Sequence, residues 1–551
     1  MRFNKKVMAV VIASASVLAA CNGDDGKDGE DLTAVPKLTR IATIPLGAEV
    51  TGIFKTDNGD LFFNVQHPDD SLPEPDNQAA IGAWVGVDFD QLDPRLEDVS
   101  VPSSNSDEAK TVQLAAGSYQ VIARMDDTIH GYLPNGVGAI LTADGSTVIK
   151  QSQDPDLNVF VPVSADGSSG YLFTVLEDRP GSAVRIGLSK MGDGTWNAND
   201  AINVDFSSVK GTIINCFGSL SPWGTPLLSE ENYEAENAEN WNNPEYTSGY
   251  PNYADVKNIQ TYLGGEFPNP YNYGYIVELK DPDGTPLPVK HFTLGRVAHE
   301  NAVVMPDMKT VYMTDDGTNK GFYKFVADNA ADLSVGTLYA AKVQQDATKD
   351  VARAGFNITW VKLGHASNAE IAAWIAEYDN IDESDYVAGQ TSYISDEEIT
   401  EWATNGVGDD RYAFLETLRA AKAKGATTEF RKMEGIAINY AGVANGSVPY
   451  MYAAMSAVEK GMSDDEGDIQ LETNKCGAVY RFGITSDYDV LRMDPAVVGG
   501  AYDGDAENRC STDAIANPDN IAVLNDGRVL IGEDTSKHVN NMIWVYNPEG
   551  E

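Results

Sequence analysis

The chain has 551 residues, 42% of them apolar, enough to bury a large core and to exclude disorder as the default reading. Asp and Glu total 83 against 39 Lys and Arg, a net charge of −44. That balance excludes nucleic acid as a partner, because a phosphate backbone needs a basic face. Two readings of the acid excess stand side by side: a solvated acidic surface, and oxygen ligands for hard cations such as calcium.

The N-terminus, "MRFNKKVMAVVIASASVLAAC", has a basic start at Arg2, Lys5 and Lys6, an apolar run from 7 to 20, and small residues before Cys21. The apolar run is too short to span a bilayer and reads as a secretory signal over 1–20. "VLAAC" resembles a bacterial lipobox, which implies cleavage before Cys21 and lipidation of its thiol. Asn22, in place of an aspartate, points to the outer membrane, facing the periplasm or the medium. Residues 21–36, rich in Gly and Asp, read as a flexible tether, and 37–551 as one domain. Three cysteines follow: Cys216, Cys476 and Cys510. In an oxidising compartment they allow one disulfide and leave one thiol. Cys476 with Cys510 is the preferred pairing, though spacing does not settle it.

Through the mature chain a Gly/Asp/Asn turn repeatedly leads into a short run of β-branched and aromatic residues. Examples are "KTDNGDLFFNVQHPDD", "ADGSSGYLFTVLEDRPG", "MPDMKTVYMTDDGTN" and "NDGRVLIGEDTS". These predict antiparallel hairpins. Many short strands without alternating helices favour an all-β fold, a β-propeller with long insertions, ahead of a large sandwich. Residues 368–424 break the pattern: "AEIAAWIAEY", "DEEITEWATNG" and "DDRYAFLETLRAAKAKGA" carry helical spacing. They predict a helical insertion, with Asp409 and Asp410 suited to a helix start and Gly425 to its end.

Acids recur beside turns at the ends of predicted strands. Glu230 and Glu231 follow "WGTPLLS", Glu300 lies in "GRVAHENAVV", and Asp315 with Asp316 end "TVYMT". Glu434 lies in "FRKMEGIAI", Asp519 and Asn520 in "NPDNIAV", and Glu533 with Asp534 in "VLIGEDTS". In a propeller such loops converge on one mouth of the central channel. Carboxylates converging with an Asn carbonyl suit calcium, which takes six to eight oxygens. Any one of them alone also reads as a turn residue or a solvated charge. Basic residues lie close by: Arg296 before Glu300, and Arg431 with Lys432 before Glu434. A guanidinium matches phosphate geometry, while salt bridging to neighbouring carboxylates is the plainer role. His299 is a candidate ligand or base. With no Ser-His-Asp or Cys-His arrangement evident, metal-assisted hydrolysis is the natural reaction class.

Taken together, "NCFGSLSPWGTPLLSEEN", "GRVAHENAVV", "VYMTDDG", "LRAAKAKGATTEFRKMEGIAI" and "NPDNIAVLNDGRVLIGEDTS" resemble the PhoX family of bacterial alkaline phosphatases. The motifs follow the family's order from about residue 215 to 536. The resemblance implies a six-bladed propeller whose channel holds a calcium-and-iron cluster that hydrolyses phosphomonoesters. It places Glu230, Glu231, Glu300, Asp315, Asp316 and Glu434 in or beside the metal site, and Arg431 or Lys432 at the substrate phosphate. The family pattern has a cysteine, an iron ligand, where this sequence has Ser229, which puts iron in doubt and leaves a site of hard oxygens. Residues 48–70, "AEVTGIFKTDNGDLFFNVQHPDD", are similar to a stretch normally found near the family's C-terminus. A ring can be closed by a strand from either end, so Glu49 and His67 are expected at the channel mouth.

The expected activity is that of a secreted, calcium-containing phosphomonoesterase, monomeric, acting on a small phosphate ester and touching a membrane only through its lipid. The alternative is a non-catalytic calcium-binding propeller that binds a ligand or partner at the cell surface. A calcium-dependent lactonase propeller is a third reading.

Overall fold

The computed structural model describes residues 37–232, 235–247, 249 and 252–550. The signal segment, Cys21 and the tether to residue 36 lie outside the described residues. No helix among the described residues is long and apolar enough to cross a membrane.

The strands fall into radial sheets, as their alternation and turns predict. Three antiparallel sheets of four strands begin with the strands Glu49–Lys55, Pro155–Pro162 and Gly218–Leu220. A nine-stranded sheet contains two further runs, one beginning at His299–Val304 and the other at Met433–Ile438. They are fused by the strand Phe356–Ser367, which pairs with both. The last sheet takes Pro518–Val523, Val529–Glu533 and Met542–Tyr546 from the C-terminal end of the chain. Its next strand is Leu38–Thr43, with Leu38 opposite Tyr546 and Thr43 opposite Met542. The closing strand therefore comes from the N-terminal side of the ring.

The first strands of these six runs contact one another in cyclic order, the Pro518–Val523 strand returning to Glu49–Lys55. The contacts are close enough to require glycine. A Cβ on Gly52, whose φ is +61°, would stand 2.4 Å from the carbonyl oxygen of Asp156, and one on Gly435 would stand 2.7 Å from that of Asp519. Buried amides tie the ring further: Asn301 accepts from the Ile436 N–H and donates to its carbonyl, each at 2.9 Å.

Sheets flanked on both faces need apolar residues on both, which is why "LFFNVQ" at Leu61–Gln66 is buried throughout. Phe62 packs on Phe160 of the next sheet, centroids 5.6 Å apart. Its neighbour Phe63 faces the other way, into the cluster that includes Leu524 and Leu530. The helical insertion forms Asn368–Ala376, Asp396–Asn405, Arg411–Leu415 and Thr417–Ala423. Ile371, Ile375 and Trp402 pack it onto the ring. Ser367 and Ser395 supply capping boxes with Glu370 and Glu398. Cys476 and Cys510 form a disulfide, and Cys216 is left as the free, buried thiol.

Candidate metal centre at one end of the ring

An inner strand runs outward from one end of the ring and its hairpin partner runs back. The start of the first strand and the end of the second therefore meet at the same rim. Asp156, Glu300, Glu434 and Asp519 stand second in their inner strands, and Cys216 lies two residues before Gly218–Leu220. Glu177, Asp316 and Asp534 directly follow the second strands, and Glu231 follows one residue later. Bulges interrupt pairing between His299 and Ala302, between Met433 and Ile436, and between Pro518 and Ile521. Each bulge spans one of the acids Glu300, Glu434 and Asp519. Bulges re-aim side chains, and here they turn acids into the ring.

The outcome is a chain of overlapping triads. Asp156, Glu177 and Cys216 offer ligand atoms within 4.8 Å of one another, and so do Cys216, Glu231 and Glu300. Glu231, Asp316 and Glu434 form a third group, and Glu300, Glu434 and Asp519 a fourth. The Cys216 Sγ lies 3.0 Å from Asp156 Oδ2 and 3.1 Å from Glu300 Oε2. Burial, reinforced by neighbouring carboxylates, pushes Asp156, Glu231, Glu300 and Asp519 well above the usual carboxylate range. For the same reasons Glu434 is pushed up to about 8, and burial lifts Glu177 to about 7. Asp316 goes the other way: burial pulls it up, but Lys432, a hydrogen bond with Glu231 and the Gly317 backbone together outweigh this and leave it lowered. Asp156 Oδ1, Glu300 Oε1, Asp316 Oδ1 and Asn520 Oδ1 are buried without a hydrogen-bond partner. Buried acceptors are ordinarily satisfied, so these oxygens, with one thiol beside them, fit a cation cluster.

The adjacent acid pairs divide their duties. Glu230 faces inward to the fold: Lys290 Nζ is 2.9 Å away, and the N–H groups of Ile213, Gly274 and Tyr275 donate to its oxygens. Asp315 accepts from the N–H groups of Ala298 and Gly321. Glu533 accepts from Ala516, Met542, the Trp544 indole and His538 Nδ1. These three acids close strand ends through backbone N–H groups, which corrects their expected place in the metal site. Their neighbours Glu231 and Asp316 point into the cluster, and Asp534 lines the cavity above it. Two other expectations are corrected in the same way. His299 Nε2 is bonded to the Gly295 carbonyl at 2.8 Å, and burial holds the imidazole down at about 4, so it is neutral. Arg296 serves the carbonyls of Tyr273 and Leu415. Ser229 donates to the carbonyl of Phe217 at 2.7 Å, which is strand-pairing work. The thiol among the acids comes from Cys216, beside Phe217 in sequence.

Above the cluster lies a cavity of about 520 Å³. Glu49 and His67 line it, with Glu49 Oε1 2.6 Å from His67 Nε2. Lys432, held in the left-handed region at φ +50°, turns its Nζ to Glu434 Oε1 at 2.7 Å and to Asp316 Oδ2 at 3.6 Å. Arg431 lines the cavity, its one ion pair among the described residues is with Glu459 at 3.9 Å, and its buried Nε has no hydrogen-bond partner. Lys432 is therefore paired with the acids, whereas Arg431 lines the cavity.

Fold and site together define a β-propeller that gathers carboxylates and a thiol at one end of its ring, beneath a cation-lined cavity. A model of the alkaline phosphatase PhoX family matches residues 186–551, well over half of the chain, and the protein belongs to that family of phosphoric monoester hydrolases. Among solved structures it is similar to Pseudomonas fluorescens PhoX in complex with vanadate, a transition state analogue. That likeness has a TM-score of 0.50 at 18% identity, covering 91% of this chain and 87% of the other. A soluble aldose sugar dehydrogenase from Escherichia coli gives 0.38 at 9% identity, with 93% and 99% covered. The Pseudomonas aeruginosa periplasmic gluconolactonase gives 0.27 at 10%, with 79% and 93% covered. Neither of the last two is near enough to carry an argument. No curated protein matches the chain. The family match begins after Asp156 and Glu177, so both acids, like Glu49 and His67, come from chain that lies before it.

Proposed function

We propose that the protein is a metal-dependent phosphomonoesterase whose acidic cluster holds calcium, with Cys216 providing a site for iron. The observation that carries this reading is the arrangement at one rim: partnerless carboxylate oxygens gather beside a cavity lined by a guanidinium whose buried Nε has no hydrogen-bond partner. Glu231, Glu300, Asp316, Glu434, Asp156 and Asp519 would hold the cations. Bound there, the cations would draw charge from a phosphoryl group and acidify a water molecule. Arg431 would take two phosphate oxygens through its fork, and Lys432 would favour the ionised form of Asp316 and hold Glu434 in place. Water adds at phosphorus, the P–O bond to the alcohol breaks, and the alcohol leaves with a proton. The thiol of Cys216 among the acids offers the soft ligand that Ser229 does not, which favours this reading over a merely binding propeller.

The test is hydrolysis of p-nitrophenyl phosphate with calcium and ferric or ferrous iron supplied. Arg431→Ala should lower kcat/KM and weaken inhibition by inorganic phosphate together, by about 10- to 100-fold, the usual range for a charge-assisted contact. No turnover by the unmodified protein under any of these metal conditions would overturn the reading.

A thiolate is a strong, soft ligand, so iron retention should depend on Cys216 and not on position 229. Elemental analysis should show less iron in Cys216→Ser than in the unmodified chain, and the same iron in Ser229→Cys. Equal iron in Cys216→Ser and the parent would remove the thiol from the proposal.

A further inference from the structure

One cation in the cavity above the acidic cluster has no part in this scheme. Lys537 lines it, and its Nζ stands 2.6 Å from the neutral Asn517 Oδ1. Among the described residues no carboxylate reaches it as an ion pair, in a chain with 83 acids against 39 Lys and Arg. Its anchor is built with care. Asn517 Oδ1 also accepts from Thr535 Oγ1 at 2.6 Å, and Asn517 Nδ2 donates to the Lys475 carbonyl at 3.1 Å. The Asn517 N–H donates to the carbonyl of Cys476 at 2.9 Å, one half of the disulfide. A lysine normally loses considerable side-chain freedom when it is fixed, and here a neutral acceptor fixes it, while the carboxylates of Glu459 and Asp534 act on its charge only from beyond ion-pair distance.

The other charges of the cavity are largely spoken for. Lys432 faces Glu434 and Asp316, Glu49 faces His67, and Glu459 stands by Arg431. Asp534 remains on the cluster side. The cavity volume, about 520 Å³, falls in the range that encloses whole small molecules of roughly 300–1,000 Å³, so it has room for the alcohol part of a substrate as well as its phosphate.

We propose that Lys537 is a specificity-determining residue that receives a second anionic group on the alcohol part of the substrate, so that the preferred esters carry a carboxylate or a further phosphate. This rests on the phosphomonoesterase reading above. It divides the work of the two available cations, with Arg431 on the phosphate that is removed and Lys537 on the charge that stays.

The test compares kcat/KM for 3-phosphoglycerate with that for glycerol 3-phosphate, which differ in bearing a carboxylate or a neutral hydroxymethyl group. The unmodified enzyme should prefer the carboxylate-bearing ester by about tenfold or more, the effect of one charge-assisted contact. Lys537→Gln should collapse that ratio, chiefly through KM, and Lys537→Arg should restore most of it. Arg431→Gln should depress both esters and leave the ratio standing. A ratio near one or below in the unmodified enzyme overturns the proposal while leaving the phosphatase reading intact, whatever the variants do. Equal losses on both esters in Lys537→Gln would overturn it too, by placing Lys537 on the scissile phosphate or in the fold. Failure of the unmodified enzyme to cleave p-nitrophenyl phosphate as well as both esters is a different result, and it would bring down the phosphatase reading itself, whereas cleavage of p-nitrophenyl phosphate with neither ester turned over would overturn this proposal alone.

Discussion

Stripped of its cations, this protein should melt at a lower temperature at pH 8 than at pH 5, and restoring calcium should abolish most of the difference. The reason is the stacking of buried carboxylates around one rim. Glu434 is pushed from an ordinary 4.5 up to about 8, first by burial and then by Asp316, and Glu177 to about 7 by burial. Between the ordinary value and the raised one, the metal-free fold holds protons that the unfolded chain has released. Stability therefore falls as pH climbs from about 4.5 to 8. At about 1.4 kcal/mol per unit, Glu434 alone accounts for several kcal/mol, which for a chain of this size is a drop of roughly 5 °C in midpoint. Bound cations reverse the preference, because they favour the ionised carboxylates. Calorimetry at the two pH values in excess chelator, with metal loss verified, decides the matter. Equal midpoints would mean that the acids do not repel one another in the fold.

The second large effect belongs to Glu300→Gln. Glu300 is shared by two of the four triads, stands 3.1 Å from the thiol of Cys216, and keeps Oε1 free of any hydrogen bond. Glutamine preserves its shape and removes its charge. Turnover should fall by about 10³-fold, the scale of losing a principal electrostatic contributor, and cation content should fall with it. The metal-free variant should also be more stable than the metal-free parent at pH 8, since one like charge has gone. Opposite signs on activity and stability separate this from simple misfolding. Near-parental turnover would exclude Glu300 from the site.

Much of this was legible in the chain. Hairpin turns, the helical insertion and acids gathered at strand ends are local patterns, and local patterns survive into the fold. What could not be read was which of two adjacent acids looks into the ring. Successive strand residues point to opposite faces, so a one-residue slip in register exchanges Glu230 for Glu231, or Asp315 for Asp316. Nothing in "SEEN" or "MTDDG" fixes that register; the bulge at His299–Ala302 and the contact with Ala298 do. Asp156 and Glu177 were missed because "DPDLNVF" and "TVLEDRP" look like ordinary turn flanks. Their signal was positional: the start of an inner strand and the end of its partner, the same two places that hold Glu300 and Asp316. Cys216 had a simpler signal, being the thiol left over once the other two cysteines pair.

The pairing of Leu38–Thr43 with Met542–Tyr546 sets an order of events. During synthesis this strand has only the two-residue strand Gln113–Leu114 to join until the last one exists, almost five hundred residues later. Contacts so distant in sequence form late, because the chain between them must already be compact. Asp519 and Asp534 belong to the sheet that waits for this pairing, whereas Asp156, Cys216 and Glu300 arrive long before. A nascent chain therefore meets solution with part of its acidic rim made and no ring to hold it. The moment at which the ends meet is also the moment at which the centre becomes whole.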